Sequence, residues 1–180
     1  MKYREAADLL TRHTRVWELK GDGDAARLAV CPEWQGRVMF RADGEFRSKI
    51  GTSQKRARNV LGSIDFQAGT LTLVRFTMPD DPAQHPYMNN VWEAKQSEPY
   101  VGDVANSYND GPLGPGMKGL GAFYEIESLS PAGSLDTGQT LTHRHATVHV
   151  QAEMPVLARL ASQTLGVDLA AVRREMLGLS

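Results

Sequence analysis

From Val16 to Gln151 the chain is cut by turn residues into runs too short for ordinary helices. Gly21-Asp-Gly-Asp24, Ala42-Asp-Gly44, Gln67-Ala-Gly69 and Pro79-Asp-Asp-Pro82 supply the punctuation, and Gly and Asp tolerate the backbone angles that tight turns need. Between them, apolar and polar residues alternate. Residues 16–19, 26–30 and 36–40 read as strands, and residues 45–50 put Phe46, Ser48 and Ile50 on one face. Residues 60–66 and 70–78 read as a hairpin. In its second arm Leu71 and Leu73 alternate with Val74 and Phe76, so both faces are largely apolar and the strand is central. Residues 87–95, 123–129 and 140–151 complete the set. Roughly nine short strands imply a mainly β chain, an antiparallel sandwich.

Two stretches break the two-residue period. Ala6, Leu9, Leu10 and His13 share a face at helical spacing, which predicts a short N-terminal helix over residues 4–14. From Met154, Pro155 suits a first helical turn, and Val156, Leu157, Leu160 and Leu165 form an apolar stripe. Asp168 is placed to cap a second helix over residues 169–177. The expected organisation is a β domain over residues 1–151 and a helical tail over 152–180, covering a sheet edge or reaching a partner.

Composition narrows the partners. A chain of 180 residues with net charge -1 has no basic field to recruit nucleic acid or an anionic membrane. No apolar run approaches the ~20 residues a spanning helix needs, and the N-terminus lacks the apolar core of a signal peptide. A cytoplasmic location is the expectation. The single cysteine, Cys31, excludes an intramolecular disulfide and reads as a buried thiol.

Chemistry concentrates in residues 100–151. Residues 106–119 read as a structured loop, too irregular for a strand and of a kind that often carries function. Its Asn106, Tyr108, Asn109 and Asp110 mix donors and acceptors in the way sugar hydroxyls require, and Trp92 is a stacking surface for a sugar ring. Glu125 and Glu127 share a strand face; close carboxylates raise one pKa, which suits proton transfer. His143, His145 and His149 also share a face, with Thr147 between them, and imidazoles two residues apart can reach one metal ion.

At Gly121-Ala-Phe-Tyr-Glu-Ile-Glu, followed by Pro131-Ala and Leu135-Asp-Thr-Gly-Gln-Thr-Leu-Thr-His, the chain resembles the C-terminal strands of the aldose 1-epimerases, the galactose mutarotases. It is more similar still to uncharacterised bacterial proteins with a mutarotase-like super-sandwich. The segments carrying that similarity are Glu-Phe-Arg-Ser-Lys-Ile-Gly, Tyr-Val-Gly-Asp-Val-Ala-Asn-Ser-Tyr-Asn-Asp-Gly-Pro and Phe-Tyr-Glu-Ile-Glu. The resemblance implies a shortened mutarotase-like sandwich, since the relatives are longer and the chain lacks their middle between Met39 and Glu45. It implies carbohydrate binding, with epimerase activity either residual or lost. Glu125 falls on the family's catalytic glutamate, Glu127 on the polar residue two places later. His85, in His-Pro-Tyr-Met-Asn, resembles the motif that holds the general acid. No cofactor is expected on this reading. Half a sandwich leaves apolar surface to cover, so a homodimer is expected.

Two alternatives remain open. The run Gly138-x4-His143-x-His145-x3-His149 resembles the first motif of the cupins and would make a small barrel binding a divalent metal. A non-catalytic structural oligomer is the other.

Overall fold

The computed structural model describes residues 6–11, 14–17, 33–34, 37–44, 47–55, 57–89, 95–121 and 123–177. Ten strands are assigned there: β1 Ala6–Thr11, β2 Thr14–Trp17, β3 Glu33–Trp34, β4 Arg37–Arg41, β5 Ser48–Ser53, β6 Val60–Asp65, β7 Thr70–Phe76, β8 Asp103–Asn109, β9 Tyr124–Ser128 and β10 His145–Gln151. Two helices follow, α1 Met154–Leu165 and α2 Leu169–Leu177. The expected turn at residues 21–24, the strand at 26–30, Cys31 and Trp92 lie outside the described residues.

The strands form two antiparallel sheets, one of six in the order β10-β7-β6-β1-β4-β3 and one of four in the order β2-β5-β8-β9. The hairpin at residues 60–78 is present as expected, with Val60 opposite Arg75 and Asp65 opposite Thr70. Its turn is set locally. Asp65 Oδ1 accepts the N–H groups of Gln67 and Ala68 at 2.9 and 2.8 Å, and Gly69 takes φ +62°, in the left-handed region.

The sheets pack face to face. Ile50, Val104 and Ala105 from the four-stranded sheet meet Leu61, Val74 and Phe76 from the other, joined by the buried Tyr87. A one-residue irregularity helps. Thr52 and Ser53 of β5 oppose Ala105 and Asp103, so Val104 is the extra residue of a bulge, and both Val104 and Ala105 reach the core.

A second core lies on the outer face of the six-stranded sheet. There Met39, Ile64 and Leu71 pack against Leu157, Ala161 and Leu165 of α1, with Val167, Leu169 and Val172 beyond. The three α1 residues recur every fourth position, one face of a helix. Gly166 ends α1 at φ 65°, and Asp168 Oδ1 accepts the Ala170 N–H at 2.9 Å, the cap expected of it. The helices therefore cover a sheet face rather than an edge. They also meet within one chain the need that a double-faced apolar β7 creates. No helix among the described residues is long and apolar enough to cross a membrane.

Two expectations are corrected. The N-terminal helix is instead β1, which pairs with β4 on one side and β6 on the other. A helix of that length is marginal by itself, since about 12–15 residues are needed to offset nucleation, whereas an inner strand bonds on both sides. The polar run at residues 103–109, read as loop from residue 106, is β8, an inner strand buried at all seven positions.

Leu157, fully buried, and Val156, 37% exposed, adjoin on α1. Leu157→Ala is expected to lower stability by about 2–5 kcal/mol, against about 0.5 kcal/mol or less for Val156→Ala. Urea denaturation of the two variants checks this.

Candidate functional site

Antiparallel register lines up the four-stranded sheet in rows. Trp17 lies opposite Lys49, Lys49 opposite Tyr108, and Tyr108 opposite Glu125. In the next like-facing row Gly51 lies opposite Asn106 and Asn106 opposite Glu127. The intervening residues Ile50, Ser107 and Ile126 face inward. Lys49, Tyr108, Glu125 and Glu127 therefore share the face turned away from the six-stranded sheet.

Two residues beyond Tyr108, just past the end of β8, sits Asp110, with 0% exposure. Its carboxylate is fully engaged. Oδ1 accepts the Tyr108 hydroxyl at 2.6 Å and Arg47 Nη2 at 3.1 Å, and Oδ2 accepts the Gly121 N–H at 2.8 Å. Burial alone would raise this carboxyl, but the Tyr108 hydroxyl, the backbone N–H of Gly121 and the Arg47 charge outweigh it and hold the pKa below the usual value. Burial, then the bond to Asp110, pushes the Tyr108 phenol up to about 12. Gly119 lets the loop close on the carboxylate, since a Cβ there would come within 2.5 Å of Asp110 Oδ2.

Against this frame lies an open cavity of about 460 Å³. Its polar lining is Arg47, Lys49, Tyr108, Glu125 and Glu127; its apolar lining is Leu113, Leu120 and Phe123. The Tyr108 and Phe123 rings stand 5.9 Å apart. Both cations are committed, Arg47 to Asp110 at 3.1 Å and Lys49 to Glu127 at 3.6 Å. Glu125 has no such partner among the described residues. Burial and the Glu127 charge raise its pKa, with Lys49 pulling the other way. It is the group best placed to accept a hydroxyl from a ligand or take up a proton.

The other predicted residues are dispersed. Asn106 is buried one row away, and neither polar atom of its side chain has a hydrogen-bond partner. Asn109 faces inward, and its Oδ1 accepts the Gly44 N–H at 3.0 Å, so it fastens the turn before β5. His85 is exposed, just after a short 3-10 turn at Pro82–Gln84, and does not line the cavity.

The three histidines do face one way, toward the space between the sheets, but they are not gathered. His143 Nε2 and His145 Nδ1 hydrogen-bond the same Ser128 hydroxyl at 2.9 and 2.8 Å, while His149 Nδ1 bonds Thr72 at 2.9 Å. Four residues of strand separate His145 from His149, about 13 Å. No group of three or more His, Cys, Asp or Glu side chains among the described residues is placed to hold a metal ion. Burial, then the neighbouring His145, lowers the His143 pKa. Beside them a cleft of about 390 Å³ opens between the sheets, lined by Thr70, Thr72, Tyr124, Thr147 and His149 among others.

Arg47, Lys49 and Phe123 were not singled out in the sequence. The signal was present: Arg47 and Lys49 alternate with Phe46, Ser48 and Ile50, and so belong to the opposite face.

The Asp110 linkage has a testable sign. Its folded pKa lies below the ordinary value, so its stabilisation is present above that value and is lost as pH falls through the folded one. Asp110→Asn is expected to cost about 1–3 kcal/mol at pH 7. The gap from wild type should narrow below about pH 4; denaturation curves at pH 7 and pH 3 measure both.

The sequence model of one family, described as a family of unknown function (DUF6786), matches residues 38–176. No curated protein and no solved structure matches the chain.

Proposed function

The chain belongs to this family of unknown function, and we propose that it binds a carbohydrate on the outer face of the β2-β5-β8-β9 sheet. The carrying observation is the cavity of about 460 Å³ in which the Glu125 carboxylate, without an ion-pair partner among the described residues, stands beside Lys49, Tyr108 and Phe123. A sugar presents hydroxyl donors and acceptors around an apolar ring, and these residues offer an acceptor, a donor and an aromatic surface together. The site is rigid where it needs to be. Tyr108 is held by Asp110 at 2.6 Å, and β8 is bonded on both sides. The resemblance to aldose 1-epimerases points to the same ligand class and the same Glu125.

The raised pKa of Glu125 favours a second reading, an aldose epimerase. Glu125 would take the proton of the anomeric hydroxyl as a C=O bond forms there and the bond from the anomeric carbon to the ring oxygen breaks. The ring oxygen would take a proton from the Lys49 ammonium or from water. Reclosure on the other face of the carbonyl completes the exchange.

Saturation-transfer NMR with a panel of aldoses, and polarimetry of the same sugars, test both. Binding should weaken roughly tenfold in Glu125→Gln, the loss of one charge-assisted hydrogen bond. Any acceleration of anomer exchange should vanish in that variant. If no aldose receives saturation from the wild-type protein, the carbohydrate reading fails.

A further inference from the structure

The cavity over Glu125 is divided by chemistry. One half is polar, with Arg47, Lys49, Tyr108, Glu125 and Glu127; the other is Leu113, Leu120 and Phe123. Leu120 is 79% exposed and Met117, in the same 113–121 segment, 53%. Single exposed leucines are commonplace. Here, however, the exposed side chain lines a cavity continuous with a polar row, and its segment is tied down. Gly121 N–H binds the buried Asp110, and Met117 N–H binds the Gly114 carbonyl at 3.1 Å. Leu120 is therefore presented at the cavity wall by its own neighbour's bond to the frame.

Resting on the carbohydrate reading, we propose that the ligand is an uncharged amphiphile, a glycoside carrying an apolar aglycone. Its sugar lies on the Lys49–Tyr108–Glu125 row and its aglycone on Leu113, Leu120 and Phe123. Charge selects the head group. Arg47 and Lys49 each already face a carboxylate, at 3.1 and 3.6 Å, so the uncommitted charge is the negative Glu125. An anionic head, such as a phosphate or a fatty-acid carboxylate, would meet that charge with no free cation in the lining to offset it. A hydroxylated neutral head would instead donate to it. Size agrees as well, since about 460 Å³ lies within the range of sites for small organic ligands.

The test is calorimetric titration with methyl and n-hexyl glycosides of glucose and galactose, both anomers, kept below micelle-forming concentrations. 1-Hexanol and hexyl phosphate serve as controls. The hexyl glycoside of the preferred sugar should bind at least roughly tenfold tighter than the methyl one, the effect of burying about two methylenes. Leu120→Ser, at an exposed position, should remove that advantage, so that the hexyl and methyl glycosides bind about equally. Equal affinity for methyl and hexyl glycosides overturns the amphiphile inference and leaves the carbohydrate reading standing. Binding of 1-hexanol as tight as that of the hexyl glycoside overturns the sugar component. Tighter binding of hexyl phosphate overturns the charge argument, and binding of no glycoside overturns both readings.

Discussion

A buried carboxylate holds the cavity-bearing side of the four-stranded sheet together. Asp110 has no exposure, and it joins three parts of the chain through its two oxygens: Arg47 before β5, Tyr108 on β8, and Gly121 at the close of the 113–121 segment. A charge taken out of water is costly unless it is paired and hydrogen-bonded. Here both conditions are met, and each partner is also a part of the cavity or the start of its wall. The stabilising contact and the positioning contact are one and the same. Tyr108 cannot swing from the row without stranding the carboxylate, and the segment bearing Leu120 cannot lift without giving up the Gly121 bond.

Around that frame the two layers divide the labour. The six-stranded sheet carries most of the apolar mass, with one face against the four-stranded sheet and the other under α1 and α2. The four-stranded sheet keeps its outer face for charged and aromatic groups. Its inner face, with Ile50, Ala105 and Ile126, stays apolar enough to pack. Between the sheets the seam near β9 and β10 is polar, closed by the Ser128 hydroxyl between two imidazoles.

Much of the fold was legible in residue order, and the failures have physical causes. The hairpin of β6 and β7, the centrality of β7, the strand at β9 and the helices with their Asp168 cap all follow from local period and turn chemistry. What local pattern could not show was β1, because Ala6, Leu9 and Leu10 fit a helical face, and only pairing on both sides makes the segment a strand. The polar β8 was hidden for a related reason. Asn106-Ser-Tyr-Asn109 has a loop's composition, and its strand state rests on ladders to β5 and β9 and on the side-chain bonds of Ser107, Tyr108 and Asn109. For the site, the like-facing pair of Glu125 and Glu127 was visible from the two-residue period. Their meeting with Arg47 and Lys49 was not, because it depends on sequence-distant register. His143, His145 and His149 show the converse: a shared face does not make a shared centre once strand length separates the rings.

The alternation in β8 and β9 ties the polar lining of the cavity to the packed core by parity. Tyr108, Glu125 and Glu127 occupy one phase of the pleat, and Ala105, Ile126 and Ser128 the other. Unless a bulge absorbs it, as Val104 is absorbed in β8, a single inserted or deleted residue in either strand exchanges the phases beyond it, sending carboxylates toward the apolar seam and isoleucine into water. Side chains in these strands can be replaced one at a time. A change of count that no bulge absorbs displaces both the charged outer face and the apolar interior behind it. The connections are free to change in length, whereas the outward-facing carboxylates inherit the strictness of the core.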